Sequence, residues 1–451
     1  MKINNILPTK PRWGVTAAAA ALPFFLSMAG GAMALEPTED DYELKLLGKY
    51  LFFDKISVPS RQSCASCHTP DAGWTNGTSG VNQKQVAVTG ANPHTVGTLK
   101  PPSNAYASFV PNFGISRFGP GGGNFWNGRA QGDEVAGILN LVAGDKYFEY
   151  LGPTADQAHA SPFINPVEQG QPSIVAVCEH VKSAKYAPLY AIAYDGAQID
   201  CANDVVTTFG RFAVALAAYQ HSTEVNAFDS KRDRALASDS DGNFPLDGFT
   251  DQENLGHDLF YNLPSELNPA GVRGNCATFC HRNGNRAGTT PGERYTGDGY
   301  FNIGTPRNVE IPGNPEPNPG VATTTGDNAD LGLHKTPTLR NVDKRRGNGF
   351  KKAYTHNGWF KSLESIVHFY NTRDIKPPCD DPGATEKDAL AQGCWPVAEF
   401  PDTQSGFLGN LGMTADEEAA LVAYMKTLTD IPTAKAPEPF NLKKFEQGQL
   451  R

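Results

Sequence analysis

Cys64-Ala65-Ser66-Cys67-His68 and Cys276-Ala277-Thr278-Phe279-Cys280-His281 are the residues whose types and spacing point most directly to chemistry. In the spacing C-x-x-C-H, two thiols add to the vinyl groups of a haem and the adjacent imidazole becomes an axial iron ligand. The second motif holds one extra residue between its cysteines. Zinc and disulfides compete with this reading. Structural zinc takes four ligands from motifs close together, whereas here each cysteine pair carries its own histidine and the two motifs lie far apart. The expectation is two covalently bound haem c groups. Cys64, Cys67, Cys276 and Cys280 attach them, and His68 and His281 ligate iron. The extra residue leaves open whether both thiols of the second motif bond; with one bond, His281 still reaches iron.

The elements around the motifs repeat. Leu47-Gly48-Lys49-Tyr50-Leu51-Phe52-Phe53 precedes the first motif and Leu255-Gly256-His257-Asp258-Leu259-Phe260-Tyr261 precedes the second. Both have apolar residues at helical spacing. Downstream, Leu216-Ala217-Ala218-Tyr219-Gln220-His221-Ser222 matches Leu421-Val422-Ala423-Tyr424-Met425-Lys426-Thr427. The second of these helices opens on Thr414-Ala415-Asp416-Glu417, a capping-box pattern. Each half therefore reads as helix, motif, long excursion, helix. The fold expected is mainly α: two cytochrome c-like haem domains with long irregular loops. Residues 35–245 form the first domain and 246–451 the second, with the junction in the polar stretch 230–248. Gly- and Pro-rich excursions such as 119–123 and 283–332 are of the length that usually carries function.

The chain has 451 residues and a net charge of −9. Residues 1–34 read as a secretory leader: Lys2, Lys10 and Arg12, an apolar run from Val15 to Met28, then Ala32-Met33-Ala34 before Leu35. The run is short for a bilayer span, and the mature chain shows no other candidate. Losing the leader removes three cations and no acid. The more acidic mature chain argues against nucleic acid as a partner. Four cysteines lie outside the haem motifs: Cys178, Cys201, Cys379 and Cys394. The local pairs 178–201 and 379–394 lose the least chain entropy on closing, but three pairings stay open.

Several segments together resemble the bacterial di-haem cytochrome c peroxidase and MauG family. They are LGKYLFFDK with CASCHTPDAGWTNG, Phe125-Trp126-Asn127-Gly128-Arg129-Ala130, Asn165-Pro166-Val167-Glu168, Lys335-Thr336-Pro337-Thr338-Leu339-Arg340-Asn341, and His356-Asn357-Gly358 through Leu363-Glu364 to Phe369-Tyr370-Asn371. They occur in family order and span most of the mature chain. The resemblance implies a peroxide-reactive iron on His68, with Glu168 as the distal carboxylate that moves a proton between the peroxide oxygens. It implies that Trp126 lies between the haems and relays charge, and that the haem on His281 exchanges electrons. Family peroxidases commonly place methionine as the sixth ligand of that haem. The matching position here is Tyr370, as in the MauG branch, and phenolate stabilises oxidised iron. His94, in the loop between the first motif and Trp126, matches a removable histidine ligand of some members. Arg129 and Arg340 suit haem propionates. The family's calcium between the domains is doubtful here. Lys100 stands where an asparagine ligand is expected and Lys351 near another, and an ammonium cannot ligate Ca²⁺.

The expected function is a periplasmic di-haem c oxidoreductase reacting with hydrogen peroxide, with export to the cell surface left open. Its electrons come either from a small redox protein (a c-type cytochrome or a copper protein) or from a protein substrate. The alternatives are a periplasmic di-haem electron-transfer cytochrome without peroxidase turnover, and a haem-containing surface protein. Glu168 beside an open iron separates the enzyme from the first.

Overall fold

The helices that flank each haem motif cross at a glycine. In the first half, helix Tyr42–Phe53 packs across helix Val205–His221. A Cβ on Gly48 would fall on the Ala215 carbonyl. In the second half, Asp251–Tyr261 packs across Ala415–Lys426, and a Cβ on Gly256 would fall on the Ala420 carbonyl. The repeated Leu-Gly step is thus a helix-crossing device, used twice. The computed structural model describes residues 41–159 and 161–449. The leader expected over residues 1–34 lies outside the described residues.

Capping fixes where these helices begin. The expected box at Thr414 forms: Glu417 N donates to Thr414 Oγ1 (3.3 Å), and Thr414 N donates to Glu417 Oε2 (2.7 Å). Thr250 and Glu253 build the same box ahead of Asp251–Tyr261. Each closed box satisfies two N–H groups that the first helical turn leaves without intrahelical partners.

The described residues belong to one compact unit with two main apolar cores. The first gathers Leu47, Leu51 and Phe52 with Phe212, Leu216 and Tyr219. The second gathers Leu259 and Phe260 with Leu421 and Tyr424, and adds Leu363, Val367 and Phe369 from helix Leu363–Thr372. The tail after residue 432 returns to the first core, where Phe440 meets Tyr50 edge-on at 5.6 Å. Helices carry the fold. The described strands form two small antiparallel pairs, Gly114–Ser116 with Gly119–Gly121 and Tyr300–Phe301 with His334–Lys335. Disulfides join Cys178 to Cys201 and Cys379 to Cys394. The four cysteines of the haem motifs form no disulfide. Among the described residues, no helix is long and apolar enough to cross a membrane.

Candidate haem and peroxide site

Cys64–Cys67 forms one helical turn, closed by Ser63 and Ser66 as a capping box. His68 N donates to Cys64 O (2.9 Å), four residues back. The turn brings both thiols and the imidazole to the wall of a cavity of about 350 Å³. His68 Nδ1 lies 3.0 Å from Pro102 O and 3.3 Å from Trp74 O. A carbonyl only accepts, so Nδ1 carries the hydrogen and Nε2 keeps its lone pair for a metal. Burial lowers the His68 pKa to about 4 and pushes both thiols up to about 12.

Glu168 lines the same cavity. Asn165 folds its loop: Val167 N donates to Asn165 Oδ1 (3.0 Å) and Glu168 N to Asn165 O (3.0 Å), the side-chain turn expected of Asn before Pro. Asn165 Nδ2 then donates to Glu168 Oε1 (2.9 Å), leaving Oε2 without a hydrogen bond. Burial raises the Glu168 carboxyl to about 7, against the opposing pull of Arg129 and the Asn165 bond. The group can therefore take and give a proton near neutral pH. Arg129 lines this cavity too, its guanidinium 3.5 Å from the centre of the Phe125 ring.

The stretched motif keeps the same outcome by a wider turn. His281 N donates to Cys276 O (2.9 Å), five residues back instead of four. One π-type turn absorbs the inserted residue. Phe279 is pushed outward to 52% exposure and packs on Phe407 at 4.6 Å. Cys276, Cys280 and His281 all line a second cavity of about 180 Å³. His281 Nδ1 donates to Tyr295 O (3.1 Å), and burial lowers its pKa to about 4. In both cavities two cysteines outside any disulfide and an imidazole whose Nε2 makes no hydrogen bond share one wall. That donor set fits a c-type haem.

Tyr370 lines the second cavity with Leu363, Ile366 and Val367, one face of helix Leu363–Thr372. Burial, then the Cys280 and Cys276 thiols, push its phenol well above the usual tyrosine range. Met425 lines this cavity as well. Its counterpart in the duplicated helix is Gln220, which lines the first cavity. Met425 thus occupies a repeated wall position.

Trp126 and Lys100 line both cavities, so they form the wall between them. Trp126 is 7% exposed, and its Nε1 donates to Lys100 O (2.7 Å). The Lys100 ammonium donates to Thr75 Oγ1 (2.9 Å), and burial lowers it to about 8. The second interface ammonium belongs to Lys352, where Lys351 had been expected. Lys352 Nζ donates to Ala72 O (3.0 Å), Asn341 O (2.7 Å) and Lys344 O (3.1 Å), while Lys351 is exposed. Carbonyls from both halves thus surround the Lys352 amino group, whose pKa burial lowers well below the usual lysine value.

Two expected residues lie elsewhere. His94 is exposed on the 92–95 turn and lines neither cavity. Asn92 Oδ1 holds its N–H (3.0 Å), and Thr95 Oγ1 ties the turn to Pro166 O (3.1 Å). Arg340 borders the second cavity, but Asp233 takes its guanidinium in two bonds (2.7 and 2.8 Å) and Glu293 O takes Nε (2.5 Å), so it is not free for a propionate. It also stands 3.8 Å from Asp430, which accepts from Tyr106 Oη (2.6 Å) and Asn341 Nδ2 (2.8 Å).

Sequence reading missed Trp74, Tyr295 and Lys335. Trp74 and Tyr295 offer carbonyls to the two histidines from left-handed backbone (φ 60° and 55°). That conformation is costly for aromatic residues and is held by the surrounding packing. They follow their histidines at unequal distances, so no repeat in the sequence marks them.

A family model described as di-haem cytochrome c peroxidase matches residues 43–241. The methylamine utilization protein MauG of Paracoccus denitrificans (strain Pd 1222) is 30% identical over 425 residues, covering 91% of this chain and 94% of that protein. The cytochrome c551 peroxidase of Nitrosomonas europaea is 23% identical over 427 residues, covering 92% and 91%. Among solved structures, the diheme peroxidase BthA from Burkholderia thailandensis aligns with a TM-score of 0.62 at 27% identity, covering 88% of this chain and 90% of that one. A tyrosine-to-methionine variant of BthA aligns at 0.63 and 25%, covering 88% and 91%.

Proposed function

Because the chain belongs to the di-haem cytochrome c peroxidase family, it is an oxidoreductase that carries two c-type haems and reacts with hydrogen peroxide, and we propose that peroxide is cleaved in the first cavity while the second exchanges electrons. The observation that carries this division is Glu168, a carboxyl titrating near 7 in the cavity of Cys64, Cys67 and His68. A haem bound there supplies an iron that takes up peroxide and passes electrons. Glu168 Oε2 takes the proton from one peroxide oxygen and delivers it to the other, which leaves as water. Asn165 fixes the carboxyl through Oε1, and Arg129 favours its charged form. Reduction to two waters consumes two electrons and two protons in all. Trp126, in the shared wall, couples the two sites.

In the second cavity His281 and Tyr370 would hold the iron of a bound haem. A phenolate ligand suits a centre that is kept oxidised, which favours electrons drawn from a protein substrate over a high-potential redox carrier. The similarity to a protein named MauG supports the same choice. The leader-like residues 1–34 support a periplasmic site of action.

Glu168→Gln keeps the shape and removes the titrating group. The variant should load both haems yet react with peroxide about 10²- to 10⁴-fold more slowly in stopped-flow mixing. A rate within a few-fold of the parent would remove Glu168 from the chemistry.

A further inference from the structure

Lys335 is a buried cation without a hydrogen-bond partner. Its Nζ is out of contact with solvent and makes no hydrogen bond. The Asp298 carboxylate lies 3.8 Å away, beyond hydrogen-bond reach. Asp298 is already held by Arg294 through Nη2 (2.8 Å) and Nη1 (3.4 Å). The Tyr300 ring, at 5.8 Å, offers only a weak cation–π contact. Two cations thus share one carboxylate, and a buried charge left this way is costly.

Lys335 borders the second cavity and also a smaller one of about 50 Å³ shared with Trp126, Tyr106 and Pro337. The other lysines and arginine along the second cavity are engaged: Lys100 by Thr75, Lys352 by three carbonyls, Arg340 by Asp233. Lys335 N also donates to Trp126 O (3.0 Å). One residue therefore presents a spare positive charge to the cavity and fastens the tryptophan in the wall.

A haem joined to Cys276 and Cys280 brings two carboxylates on its propionate arms. We propose that Lys335 binds one propionate of the second haem and so sets that carboxylate beside Trp126. This rests on the reading of the second cavity as a haem site. The ammonium offsets the propionate's negative charge and would raise the potential of that haem, on the side of the cavity that Trp126 lines.

The test uses the holoprotein with Lys335→Met and Lys335→Arg, haem content by pyridine haemochrome, and potentiometry followed at the bands of each haem. In Lys335→Met the second haem should fall in potential, the first should hold, and Lys335→Arg should restore most of the difference. If Lys335→Met does not load haem, resonance Raman of Lys335→Arg replaces it, and the propionate bending bands of the second haem should move from the parent position. An unchanged second potential, an equal shift of both haems, or unmoved bending bands in Lys335→Arg would overturn the proposal. A parent with one haem per chain would overturn the reading of the second cavity, and the proposal with it.

Discussion

Glu168 is poised near neutrality because burial raises its pKa while Arg129 and Asn165 hold it back. Its carboxylate, the form that accepts the peroxide proton, is lost as pH falls through about 7. The peroxide reaction should therefore slow below pH 7 and level off above it. Arg129→Met removes the positive charge that favours the Glu168 carboxylate, so its profile should move to higher pH in the same stopped-flow assay; a profile that stays in place would show that Arg129 does not act on Glu168. Tyr370→Phe removes the oxygen from the second cavity and should change the spectrum of the second haem, whereas Met425→Leu should leave it unchanged. The reverse pattern would make Met425 the ligand. The cysteines and histidines of the motifs were legible because covalent attachment forces thiols and imidazole onto one turn. Lys335 was hidden because its meaning lies in burial and a missing partner, and a loop position such as that of His94 says nothing about which way the turn faces.

Gly48 and Gly256 show what the duplication is for at the level of elements. Each lets one helix sit against a carbonyl of the helix it crosses. Alanine usually improves a helix by up to about 1 kcal/mol over glycine. Here Gly256→Ala should instead destabilise by about 1–3 kcal/mol, because the methyl has no space. Thermal unfolding checks the sign; a raised Tm would mean that the helices can part without cost. These helices were readable from apolar spacing and the Thr414 box. The box at Thr250 carries the same signal and went unread. The wider turn at Cys276 was not readable: an inserted residue can be absorbed by a π-type turn or by a shifted histidine, and only the His281 to Cys276 bond decides.

Across the whole molecule, two cavities share a wall made by Trp126 and Lys100, and the buried Lys352 and Arg340 side chains tie segments from both halves together. The long excursions that build this wall carry little periodic pattern, so their meeting was legible only through resemblance to a family. On the proposed division, peroxide reacts in the first cavity while the Tyr370-bearing second site supplies an electron without first being reduced. The most direct measurement adds one equivalent of peroxide to the fully oxidised protein and follows both haem spectra, with no reductant present. Both haem spectra should change promptly. No change until one haem has been reduced would contradict that division, and no change in either state would contradict peroxide chemistry altogether.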